Sequence, residues 1–165
     1  THARDKDAIV ATMALCEAAA YYKTKNMTLW DAMIAMYERY GYYQDGITAI
    51  TLKGIEGLEK IGTIMNTLRA DAPKEIGAYQ VTAVRDYKND MITDVATGEV
   101  RPTGLPSSNV LYYELTDDAW VCVRPSGTEP KVKFYFGIKG TSIADAEAKA
   151  EAMKEAVNAL VEKML

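Results

Sequence analysis

The sequence predicts an α+β protein: a mostly antiparallel sheet with two helices on one face, preceded by a short helical piece. Three observations predict it. After residue 109, β-patterned runs follow one another across short turns. Two segments, 55–68 and 143–164, repeat apolar residues at helical spacing. The first ~40 residues carry helical patterns alone and are too few for a core of their own.

Taken in order, residues 7 to 24 place Ile9, Met13, Cys16 and Ala20 on one stripe, with Val10, Ala14 and Tyr21 beside them. Thr28-x-x-Asp31 is a capping box, so a second helix starts there, with Trp30, Met33, Ile34 and Tyr37 as its buried face. Gly41 offers a left-handed stop. A connection of about four residues packs the two helices antiparallel or near it. Ile47 to Leu52, rich in β-branched residues, reads as a strand. Ile55, Leu58, Ile61, Met65 and Leu68 make a third helix that ends before Pro73. Tyr79 to Asp86 is again a strand.

Residues 88 to 108 are polar and punctuated by Gly98, Pro102, Gly104 and Pro106, so they read mainly as connection, with a short strand at Met91 to Val95. Val110–Leu115 and Ala119–Val123 are strands around a Thr116-Asp117-Asp118 turn. Farther on, Val132, Phe134, Phe136 and Ile138 alternate onto one face, and Lys133 and Tyr135 onto the other. The last helix starts at the box Ser142-x-x-Asp145, and its stripe is Ala146, Ala150, Met153, Val157, Leu160, Val161 and Met164. The division between helical piece and α+β domain falls near residues 42 to 46, giving segments 1–44 and 45–165.

The composition is that of an ordinary globular protein, 48% hydrophobic and 25% charged. A formal net charge of -4 argues against a broad nucleic-acid footprint but leaves room for a local basic site. Cys16 and Cys122 lie far apart in apolar runs, without metal-type spacing, and read as buried free thiols. A single histidine, His2, excludes a histidine-based metal site within the chain. No run approaches the ~18 apolar residues of a membrane span, and the expected compartment is the cytoplasm. Tyr21, Tyr22, Tyr37, Tyr40, Tyr42 and Tyr43 read as packing residues. The chain opens on Thr1 with a helical pattern soon under way, which fits an excised portion of a longer protein.

The chemistry concentrates in RPSGTEPKVKFYF, residues 124 to 136. A phosphate dianion needs converging donors, positive charge and little steric hindrance. Arg124 offers a planar fork for two oxygens. Ser126 and Thr128 offer hydroxyls, and the backbone N–H groups from Ser126 to Thr128 offer an anion nest. Gly127 can adopt a positive φ and places no Cβ before the ligand. Lys133 adds charge from the next strand. Pro125 and Pro130 restrict the loop before binding. The same residues also suit an ordinary hairpin loop, with Arg124 paired to Glu129 on the surface. No GxxxxGK[ST] motif is present, so this is not a Walker-type loop.

This stretch closely resembles the C-terminal phosphate-binding loop of the α-D-phosphohexomutases, the family of phosphoglucomutase and phosphomannomutase. HARDKDAI, residues 2 to 9, is similar to a segment of the third domain of those enzymes. The resemblance implies that residues 1–44 end domain three and that 45–165 form domain four, whose topology is like that of the TATA-binding protein. It implies phosphate contacts from Arg124, Ser126, Gly127, Thr128 and Lys133. It also makes Lys6 a sugar-side or proton-transfer lysine, although Lys6 reads equally as a solvated residue between Asp5 and Asp7. Hexose phosphates are the implied substrates, and domains one to three of the same polypeptide the implied partners. Mg²⁺ and glucose 1,6-bisphosphate are the implied cofactor and intermediate.

The phosphoserine, metal and sugar loops of similar enzymes do not occur in this sequence. Asp117-Asp118 reads as a hairpin turn with no third aspartate at metal-loop spacing. The resemblance of RDKD, residues 4 to 7, and of RPSGTEP, residues 124 to 130, leans toward phosphoglucomutase, with phosphomannomutase as the alternative. A stand-alone anion-binding module is the rival from another class. Nucleic-acid binding is disfavoured by the acidic balance and by the expected lack of a basic, aromatic-studded sheet face.

Overall fold

At Gly41 the chain changes character. The computed structural model describes residues 6–52, 54–127 and 129–165, and the chain divides into two compact units, Thr1–Gly41 and Tyr42–Leu165.

The first unit is a helix pair. Asp7 caps α1 (Ala8–Lys23) by accepting from the N–H groups of Ile9 and Val10, both at 3.0 Å. The capping box of α2 (Leu29–Tyr40) is reciprocal: Asp31 N–H donates to Thr28 Oγ1, and Thr28 N–H donates to the Asp31 carboxylate. The expected buried stripes are corrected. Ile9 is 74% and Met13 67% exposed, and the half-buried side of α1 is Val10, Ala18, Ala19 and Tyr22. On α2, Trp30 is exposed, while Met33, Ile34 and Tyr37 are half-buried. Two helices offer each other only a narrow strip, so most of their apolar surface finds no cover within the unit. Cys16 is likewise exposed rather than buried. Gly41 ends α2, but with φ 111° and ψ 155° rather than in the left-handed helical region. Only glycine adopts that combination without strain, and it sends the chain directly into a strand.

The second unit is built on one antiparallel sheet. Its strands are β1 (Tyr42–Thr51), β2 (Glu75–Ile76), β3 (Tyr79–Asp86), β4 (Met91–Asp94), β5 (Val100–Arg101), β6 (Leu111–Leu115), β7 (Trp120–Pro125) and β8 (Lys131–Gly140). The spatial order is β1-β8-β7-β6-β3-β4-β5, with β2 pairing β3 off this path. Every pairing is antiparallel.

Strand β1 begins five residues before the expected Ile47, although Gln44-Asp45-Gly46 has poor β propensity. Its ten-residue ladder with β8 overrides that propensity. At Gly46 a Cβ would lie 2.2 Å from the Phe136 ring, so the glycine is the gap into which that ring packs.

Two helices, α3 (Gly54–Ala70) and α4 (Ile143–Glu162), cover one face of the sheet. Ile61, Ile64, Met65 and Leu68 of α3 and Met153, Val157 and Val161 of α4 share a core with Val121, Val123, Val132, Phe134, Phe136 and Ile138. Ile55 and Leu58, expected on the α3 stripe, are exposed, because the buried face of α3 runs through Gly57, packed against Leu52, and then Ile61, Ile64 and Leu68. At the other end of α3, Arg69 donates to Asp86 at 2.9 Å and to Asn109 at 2.8 Å, tying helix to strand. Ser142 caps α4 as expected. Asp145, however, accepts from Thr141 rather than from Ser142, so that box is displaced by one residue. The face away from the helices is open, and β8 presents Lys131, Lys133 and Tyr135 on it.

Candidate functional site

The open face and the β7–β8 loop meet in a cavity of about 280 Å³ lined by Arg124, Pro125, Ser126, Gly127, Lys133 and Tyr135. Alternation along β7 buries Val121 and Val123, which leaves Arg124 on the open face. The β7–β8 register then sets Arg124 directly opposite Lys133. Neither side chain has an ion pair or hydrogen bond with another described residue. Two like charges across a ladder repel one another, so the arrangement favours an anion between them.

The loop itself is closed by backbone hydrogen bonds. Ser126 N–H donates to the Lys131 carbonyl at 2.7 Å, and Lys131 N–H to that of Glu129 at 2.7 Å. Leu52 N–H donates to the Pro130 carbonyl at 3.0 Å, anchoring the loop beside the end of β1. Glu129 N–H donates to Ser126 Oγ at 3.2 Å.

Three expectations change as a result. The Ser126 N–H is spent on closing the hairpin and is not part of an anion nest. Gly127 is not at positive φ, and a Cβ there would meet nothing within 4 Å; its N–H has no partner among the described residues. Glu129 pairs with Lys131 at 3.3 Å, which leaves Arg124 uncompensated. Thr128 lies outside the described residues. Lys6 belongs to the first unit, where it is exposed.

Farther along the open face, Tyr112 and Trp120 stack with ring centroids 5.5 Å apart. The Arg85 guanidinium lies over Tyr112 at 5.4 Å, and Lys139 lies over Tyr43 at 5.5 Å. The sequence-based expectation that the sheet face is not studded with aromatics is therefore corrected. These residues come from strands far apart in sequence, and only the register brings them together. Their charges are balanced, however: Arg85 pairs with Glu114, and Lys139 with Asp118 at 2.6 Å. The excess positive charge of the face is thus concentrated at Arg124 and Lys133. Burial pushes the half-buried Cys122 thiol above its ordinary value despite the opposing charge of Arg124, so no thiolate neutralises that arginine.

Sequence reasoning did not single out Tyr135 for this cavity. The signal was available in the period of two that puts Tyr135 on the same face as Lys133.

Among the described residues, no group of three or more histidine, cysteine or acidic side chains converges where a metal ion could bind. The Mg²⁺ implied by the family resemblance therefore has no fitting site in them. No helix among the described residues is long and apolar enough to cross a membrane.

A family model described as phosphoglucomutase/phosphomannomutase, C-terminal domain, matches residues 66–156. Among curated relatives, the phosphoglucomutase of Staphylococcus aureus strain bovine RF122 / ET3-1 is 35% identical over 150 residues, covering 91% of this chain and 27% of the relative. That of strain USA300 is 34% identical with the same coverage. The chain thus spans about a quarter of the length of these relatives. A crystal structure of pp63/parafusin, a phosphoglucomutase from Paramecium in its open form, superposes with a TM-score of 0.54 over 99% of this chain and 28% of that one. At 14% identity, this is a likeness of fold.

Proposed function

Because the chain belongs to the phosphoglucomutase/phosphomannomutase family through its C-terminal domain, we propose that it grips the non-reacting phosphate of a hexose phosphate in the Arg124–Lys133 cavity. The supporting observation is the uncompensated cation pair at a cavity that Ser126 and Gly127 leave open. The Arg124 fork meets two phosphate oxygens, and Lys133 adds a point charge from the opposite strand. Ser126 supplies its hydroxyl, Gly127 its N–H, and Thr128 completes the set.

In this reading residues 1–44 end a third domain and 45–165 form a fourth. The exposed apolar surface of the first unit is covered by the rest of the polypeptide, and Lys6 serves the sugar side. The parent enzyme passes a phosphoryl group from a phosphoserine to a hexose phosphate, and the other phosphate of the resulting 1,6-bisphosphate returns to the serine. The cavity must therefore accept either phosphate. Charge-dominated contacts allow this where a stereospecific pocket would not. Mg²⁺ belongs to other domains, and the chain alone has no mutase activity. Glucose is favoured over mannose by the relatives, which carry the name phosphoglucomutase. Two free thiols, one of them exposed, suit a reducing cytoplasm.

The test is Arg124→Ala in the intact enzyme. A hydrogen bond to a charged group contributes roughly 1.5–3 kcal/mol, so kcat/KM falls at least about tenfold. Unchanged kinetics would remove Arg124 from the site.

A further inference from the structure

Tyr135 stands one same-face step beyond Lys133 on β8, opposite Cys122 on β7 and Ile47 on β1. It is diagonal to Arg124 across the β7–β8 ladder, a separation of about 7–8 Å that an aromatic side chain spans. It also lines the same cavity as the two cations. The side chain is half-buried, and its hydroxyl has no hydrogen-bond partner among the described residues. Tyr113 on β6, by contrast, donates its hydroxyl to the Leu68 carbonyl.

Arg124 and Lys133 are donors only, and they meet each other as like charges. A ligand with several acceptor oxygens satisfies both cations and the phenol together. We infer that the Tyr135 hydroxyl donates a hydrogen bond to the phosphate held by Arg124 and Lys133, which makes it a further binding residue of this site. The inference rests on the reading that the cavity takes a phosphate. Because the phenol is a neutral donor, its share of the binding is insensitive to salt, whereas the shares of the two cations are screened.

The experiment titrates the isotope-labelled chain with inorganic phosphate and with glucose 1-phosphate, each at two sodium chloride concentrations, following amide resonances. Tyr135→Phe keeps the ring and removes only the hydroxyl. Both ligands are expected to bind about fivefold more weakly to it, with an unchanged salt dependence. Arg124→Ala is expected to weaken both at least about tenfold and to flatten the salt dependence. If Tyr135→Phe binds like the unaltered chain while Arg124→Ala is weakened, the Tyr135 contact is refuted and the phosphate reading stands. If Tyr135→Phe weakens glucose 1-phosphate but not inorganic phosphate, the contact is to the sugar and the inference fails. If Arg124→Ala also binds unchanged, the phosphate reading itself falls.

Discussion

Arg124 and Lys133 face each other across the β7–β8 ladder with no counter-charge from any described residue. A pair of cations in that position costs stability in the free protein, and an anion relieves the cost.

The pair should therefore show opposite effects on stability and on binding. Lys133→Gln is expected to raise the melting temperature in phosphate-free buffer by about 1 °C, the change for a few tenths of a kcal/mol in a domain of this size. The same substitution should remove most of the stabilisation that added phosphate confers on the unaltered chain. Thermal melts with and without phosphate decide it. A lower melting temperature, or an undiminished response to phosphate, would count against the arrangement.

Tyr113 fastens α3 to the sheet. Its hydroxyl donates to the Leu68 carbonyl at 3.1 Å, near the end of α3, where carbonyls lack helical partners. Burial pushes the phenol far above its ordinary ionisation range, so it is a donor at every working pH. Tyr113→Phe leaves a buried carbonyl unsatisfied and is expected to cost about 1–2 kcal/mol in urea denaturation. A loss within experimental error would show that Leu68 finds another partner.

Asp145 makes the start of α4 sensitive to acid. Its carboxyl is held below the ordinary range first by Lys149, 2.9 Å away, and then by the Thr141 N–H at 2.8 Å. The folded value is lower than the unfolded one, so the contribution is complete above about pH 5 and is lost as pH falls through the folded value. Asp145→Asn should lower the urea midpoint at neutral pH. It should also shrink the further drop between about pH 5 and pH 2.5. The shrinkage is partial, because Asp90 and Asp94 carry similar depressions from Thr103 and Thr97. A pH profile parallel to that of the unaltered chain would refute it.

Much of the fold was legible because its signals are local. The observed bounds of β3 match the expected Tyr79–Asp86, and the alternation of β8 buries Val132, Phe134, Phe136 and Ile138 as read. Ser142 caps α4 where expected. The two-residue strands β2 and β5 went unread because so short a segment carries no periodicity; each exists only through its neighbour's hydrogen bonds. The early start of β1 escaped for the same reason, since β8 and not propensity makes Gln44–Gly46 extended. In the loop, residue types were readable but the use of each N–H was not.

The order of residues alone settles that the four helices and the longer strands form, and which side of β8 is apolar, because backbone propensity and side-chain period act over a few positions. It also supplies the loop's chemical inventory, from Arg124 to Lys133. Pairing across distant strands decided the rest: that the two cations stand face to face, that Tyr135 joins them, and that Arg85 and Lys139 are neutralised elsewhere on the same face. Coulomb and hydrogen-bond energies depend on separation in space, and only the folded register sets that separation.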